Sequence, residues 1–144
     1  MNANRTRLAL LAALAFAIAM PGVAAAQDPR ASEAQKVARD WLALADKLDA
    51  SASWRAAGLR FQQTIPQERW AGQLKREREA RGAVVQRAAA GTSFRSESAS
   101  QPTGATYAMV RFRTSFAKEP NATEEITLEQ GPDSAWHVIG YVIR

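Results

Sequence analysis

The stretch REREARGAVVQRAAAG, Arg76 to Gly91, decides how this chain is read. On its N-terminal side, large apolar residues recur every third or fourth position. On its C-terminal side the spacing falls to two. Gly82 stands at the change, where a helix ends most easily on a residue without a Cβ. A chain that is helical before this point and stranded after it segregates its elements, which is the sequence mark of an α+β domain.

Upstream, three helices are expected. The first starts near Ser32, an N-cap residue, with Glu33 in its first turn, and ends near Asp49. Val37, Trp41, Leu44 and Leu48 form its apolar stripe. The second begins around Ser51 or Ser53 and carries Trp54, Ala57, Phe61 and Ile65, with Gly58 where another element passes close. Pro66 restarts the chain, because proline suits the first turn of a helix and disfavours helical geometry in the residue before it. The third helix runs from Pro66 to about Arg81 on Trp70 and Leu74.

Downstream, four strands are expected. Ala83 to Glu97 has a two-residue rhythm with Gly91 as a bulge. Tyr107 to Phe116 places Ala108, Val110, Phe112 and Phe116 on one face and Arg111 and Arg113 on the other. Glu124 to Glu129 sets Ile126 and Leu128 against Glu125, Thr127 and Glu129. Gly131 to Ser134 is a turn, and Trp136 to Ile143 is the last strand. Loops of hairpin size make the sheet antiparallel. The expected architecture is three N-terminal helices packed on a four-stranded antiparallel meander.

Residues 1–26 are read as a secretory signal peptide: two arginines, the apolar run Leu8 to Met20, then small residues at Ala24 and Ala26. That run is short of the roughly 20 residues of a membrane span. Cleavage is expected after Ala26, leaving residues 27–144 as a single α+β domain with no stable membrane insertion. Arg5 and Arg7 fall in the leader, so the remainder carries 17 basic and 14 acidic side chains. That mild, interspersed excess argues against nucleic acid. No cysteine is present, so the fold rests on packing alone. An AxA-like leader without cysteine points to the bacterial periplasm.

Motifs for chemistry are sparse. There is no P-loop, no GxGxxG and no metal-ligand spacing, and His137 is the only histidine. No cofactor, no metal and no catalytic residue is assigned. Trp41, Trp54 and Trp70 each lie on a different helix; they read first as core, and second as a ligand cage together with Asp46 and Tyr107. Asp46 is expected in solvent at a helix end. The run LKREREARG reads as a solvated helix face of weak i,i+4 pairs. Arg111 and Arg113 face Glu125 and Glu129 as cross-strand pairs. The last strand looks apolar on both faces, with Trp136, Val138 and Val142 against Ile139, Tyr141 and Ile143. An uncovered apolar face suggests a homodimer through the sheet.

The ordered set Trp41, Asp46, Trp54, Phe61, Trp70, Arg78, Gly82, Arg87, Gly104, Tyr107, Thr114-Ser115-Phe116, Glu124 or Glu125, Gly140 and Tyr141 resembles the bacterial exported domain-of-unknown-function family 4019. The resemblance spans Val37 to Arg144. It departs at Ala50, where an aromatic is common, and at the turn SASQPTGA. It implies a cystatin-like or nuclear-transport-factor-like (NTF2-like) cone and no assigned activity. The reading that results is a periplasmic, non-catalytic module binding a protein or a small apolar ligand. The alternative is a ketosteroid-isomerase-like cone enzyme using Asp46 or Tyr107.

Overall fold

The computed structural model describes residues 28–97 and 104–144. The expected leader and most of the SASQPTGA turn lie outside them. The elements follow in the order α1 (Pro29–Asp46), α2 (Ala50–Ala56), α3 (Leu59–Thr64), α4 (Gln67–Arg81), β1 (Val84–Ser96), β2 (Thr106–Phe116), β3 (Ala122–Gln130) and β4 (Trp136–Ile143). The strands form one antiparallel sheet in the order β1-β2-β3-β4, and the helices pack on one face of it. No helix among the described residues is long and apolar enough to cross a membrane.

The first helix begins earlier than expected. Asp28 is its N-cap, accepting from the Arg30 N–H at 2.9 Å, and Pro29 takes the first turn. Its buried stripe is Ala34, Ala38, Trp41, Leu42 and Ala45. Leu48 is not part of it. The helix closes in a Schellman motif: the Leu48 N–H donates to Ala45 O at 3.0 Å and the Asp49 N–H to Leu44 O at 3.2 Å. Asp49 then caps α2 through the Ala52 N–H.

The expected second helix is two, α2 and α3. Between them, Ala57 and Gly58 are extended, and the Gly58 N–H donates to Val138 O on β4 at 2.8 Å. A Cβ on Gly58 would meet the Cβ of His137 at 3.0 Å, so the close approach read from the sequence is real, and β4 is the element that passes. Gly82 ends α4 at φ 78°, as placed by the period change.

Two strands break the two-residue rhythm. In β1, Val85 and Ala90 are extra residues, at register shifts between Val84 and Gln86 and between Ala89 and Gly91. In β4 a shift opposite Thr127 and Leu128 makes Ile139 extra. The bulge turns Tyr141 and Ile143 to the same side as Trp136 and Val138, and leaves Val142 on the outer side with Gly140. The strict alternation expected of β4 is therefore corrected, and the second apolar face that suggested a dimer loses most of its members.

Candidate functional site

Trp41 and Trp70 are buried at the centre of the helix layer. Their rings lie 5.4 Å apart, with Phe61 5.3 Å from Trp70 and Tyr141 5.4 Å from Trp41. Ser53 serves both indoles: its carbonyl accepts from Trp41 Nε1 at 2.8 Å and its hydroxyl from Trp70 Nε1 at 2.9 Å. Trp54 is half-buried and donates to Ile65 O at 2.7 Å. The centre of the helix layer is thus occupied by mutually packed rings, and the N–H groups of these three indoles are satisfied.

Tyr107 is not near them. It lies on the outer side of the sheet, its hydroxyl donating to Glu97 at 3.1 Å and its ring under Arg60. Asp46 and Tyr107 therefore do not share a site. On that outer side Arg111 meets Glu125 at 3.2 Å as expected, whereas Glu129 pairs with Arg60 of α3 at 2.8 Å.

The polar centre of the molecule is a set of residues that sequence reasoning did not join. Glu124 of β3 is fully buried, in phase with Ile126 and Leu128. Its Oε1 accepts from the Tyr141 hydroxyl at 2.6 Å and Arg87 Nη2 at 3.1 Å. Its Oε2 accepts from the Thr114 hydroxyl at 2.6 Å and Arg87 Nε at 2.5 Å. Arg87 also forks onto Asp46, at 2.6 and 3.0 Å. Arg78 of α4 donates to Asp46 Oδ1 at 2.9 Å and to the Tyr141 hydroxyl at 2.9 Å. Asp46 lies at the exposed end of α1 as expected, and there its carboxylate, 26% exposed, holds two guanidinium groups. One correction follows. Arg78, inside the run read as a solvated face, is only 6% exposed and lies over the Phe116 ring at 5.3 Å.

Two positive and two negative charges leave this network neutral, which is the condition for burying them. Burial acts against the charge on Arg87, but its bonds to Asp46 and Glu124 outweigh that and raise its pKa. Burial, together with the Glu124 carboxylate, pushes the Tyr141 phenol well above its ordinary value. A phenol raised in the folded state is protonated in both states below about pH 10, and its effect on stability is flat there. Above that pH the unfolded chain ionises and the folded chain does not, so stability falls as pH rises. Urea midpoints at pH 9 and pH 11 are expected to diverge in the parent and to diverge less in Tyr141→Phe, where Tyr107, also raised, still contributes; an unchanged slope in the variant would remove this role. Chemically, all four carboxylate positions of Glu124 are filled by donors, so no lone pair is left to take a proton from a substrate.

Beside the network lies an open cleft of about 820 Å³. Asp46 at the end of α1 and Leu48 in the turn after it form one side, α4 contributes Ala71, Leu74, Lys75, Arg78 and Glu79, and Gly82 to Val84 close it. Its charges are matched in pairs, Asp46 with Arg78 and Lys75 with Glu79 at 3.6 Å. What remains for a ligand is apolar. Leu48 stands at the lip at φ 59° and is 54% exposed. It occupies the C′ position that glycine commonly fills. Among the described residues no group of three or more His, Cys, Asp or Glu could hold a metal ion.

The chain matches the family model described as "Protein of unknown function (DUF4019)" over residues 37–141. No curated protein sequence matches it. Among solved structures, a 2.5 Å structure of a protein from Catenulispora acidiphila is similar over 78% of this chain and 88% of its own, at 16% identity and a TM-score of 0.42. Since the family match runs from within α1 to within β4, the chain belongs to the DUF4019 family.

Proposed function

We propose that this chain is an exported, periplasmic, non-catalytic binding module, and that its ligand sits in the cleft between the end of α1, α4 and the start of β1. The observation that carries the reading is Leu48. A left-handed residue with a side chain costs roughly 1–2 kcal/mol relative to ordinary backbone. A leucine left 54% exposed gains little burial to offset it. Strain and apolar exposure at the same residue, on the lip of a cleft, favour a role in binding over a role in folding. The filled aromatic core and the saturated Glu124 carboxylate support a module without reaction chemistry.

Leu48→Asn separates the two roles. Asparagine tolerates the left-handed region, so the variant is expected to gain about 0.5–1 kcal/mol of stability while losing most of the apolar lip. Urea unfolding reads the first effect. Native mass spectrometry of protein recovered from the periplasm reads the second, as loss of any retained ligand. A variant that is less stable than the parent, or that retains ligand equally, would contradict this assignment.

A further inference from the structure

The two edges of the sheet are treated differently. The β4 edge is covered: the Gly58 N–H bonds to Val138 O, and α3 packs beside the strand. Among the described residues the β1 edge has no such cover along its 13 residues, the longest strand of the sheet. Natural sheets commonly guard such an edge with lysine, proline or inward charge. Between Val84 and Phe94 this one has neither lysine nor proline, and its single charged residue, Arg87, is turned into the Glu124 network. Ala88, Ala89, Ala90 and Gly91 are exposed and leave room for an approaching backbone. The cleft opens on the same side. Ala83 and Val84 line it while no β2 residue does, so the cleft adjoins the edge strand at its first residue.

From this adjacency, and resting on the cleft reading above, we infer that the ligand is an extended segment of a partner protein. It adds as a fifth strand along β1 and places one bulky apolar side chain in the cleft between Leu48 and Leu74. Main-chain hydrogen bonds would supply the affinity and the cleft the selectivity, the division of labour found in β-strand addition. The matched charges of the lining exclude a charged side chain there, since an unpaired ion would be desolvated. A second copy of this chain fits less well. Antiparallel pairing of β1 with itself along its length would bring Arg95 and Ser96 of the copy opposite the cleft. Phe94, the only aromatic of the strand, is already packed at 5.8 Å from Trp136 and under Arg30.

The test uses protein recovered from the periplasm and phage-displayed random dodecapeptides, followed by synthesis of a selected sequence. The expected selection is one large apolar residue flanked by strand-forming residues. N-methylation of successive backbone amides of that peptide should weaken binding about tenfold at alternate positions and spare those between. Ala71→Trp, which fills the cleft, should abolish binding. A flat N-methylation profile, or a selected helical pattern, would overturn strand addition while leaving the cleft as the site. Absence of any peptide, with a small apolar molecule retained in native mass spectra and lost in Leu48→Asn, would do the same. A dimer dispersed by the peptide would make the occupant a second copy and overturn the foreign segment. Peptide binding unaffected by Ala71→Trp and Leu48→Asn would overturn both the cleft reading and this inference.

Discussion

Glu124→Ala is expected to destabilise the protein by about 3–5 kcal/mol, the range for removing one partner of a buried ion pair. The carboxylate accepts from Arg87 twice and once each from Thr114 and Tyr141. Alanine would leave those donors buried without their acceptor, and would leave Arg78 and Arg87 sharing the single charge of Asp46. The excess positive charge, not the lost volume, dominates the cost. Two companion variants show this. Glu124→Gln keeps the shape and one acceptor oxygen, and should lose less. The double replacement of Glu124 and Arg87 by leucine and methionine should lose less than Glu124→Ala, because no uncompensated charge remains. Urea unfolding at constant m-value would measure all three. Equal losses in the single and double variants would mean that the network is not electrostatically coupled.

Trp70→Ala carries the second large effect, about 3–5 kcal/mol. The indole is 1% exposed and has ring neighbours in Trp41, Phe61 and Tyr141. Truncation opens a cavity in the aromatic layer and removes the donor to the Ser53 hydroxyl. Ser53 itself anchors α2, its hydroxyl donating to Asp49 O at 2.8 Å and its carbonyl accepting from Trp41. The loss therefore reaches both helices that flank the cleft. Trp70→Phe retains much of the contact and should cost less than half as much. If Trp70→Ala were nearly neutral, the ring cluster would be a loosely filled pocket and the inert-core account would fail.

The architecture was legible because the strongest signals are periodic. Gly82 marks a change of period that no local propensity obscures, and Trp70 with Leu74 fixes the inward side of α4. The network was less legible for a specific reason: bulges move residues out of phase. The inward residues of β1 are Val84, Arg87, Ala89, Thr92 and Phe94, with steps of three wherever a bulge falls. An even two-residue reading cannot place Arg87 inward together with Val84. The same device in β4 turns Tyr141 onto Glu124. Other signals were present in the sequence. Glu124 is in register with Ile126 and Leu128, and Arg78 falls four residues beyond Leu74 on the stripe of α4. A charge on an apolar phase implies a buried partner, and that inference was available. Leu48 was the opposite case, an apolar residue on a helical phase that the Schellman turn carries out of the core.

The central claim is that the interior is filled and that binding takes place outside it. A crystal of the protein pressurised with xenon tests this directly, because xenon enters apolar space that water leaves empty. The account predicts no xenon among Trp41, Phe61, Trp70 and Tyr141, and a site in the cleft beside Leu48 and Leu74. Xenon enclosed between those rings and the sheet, with none in the cleft, would contradict it.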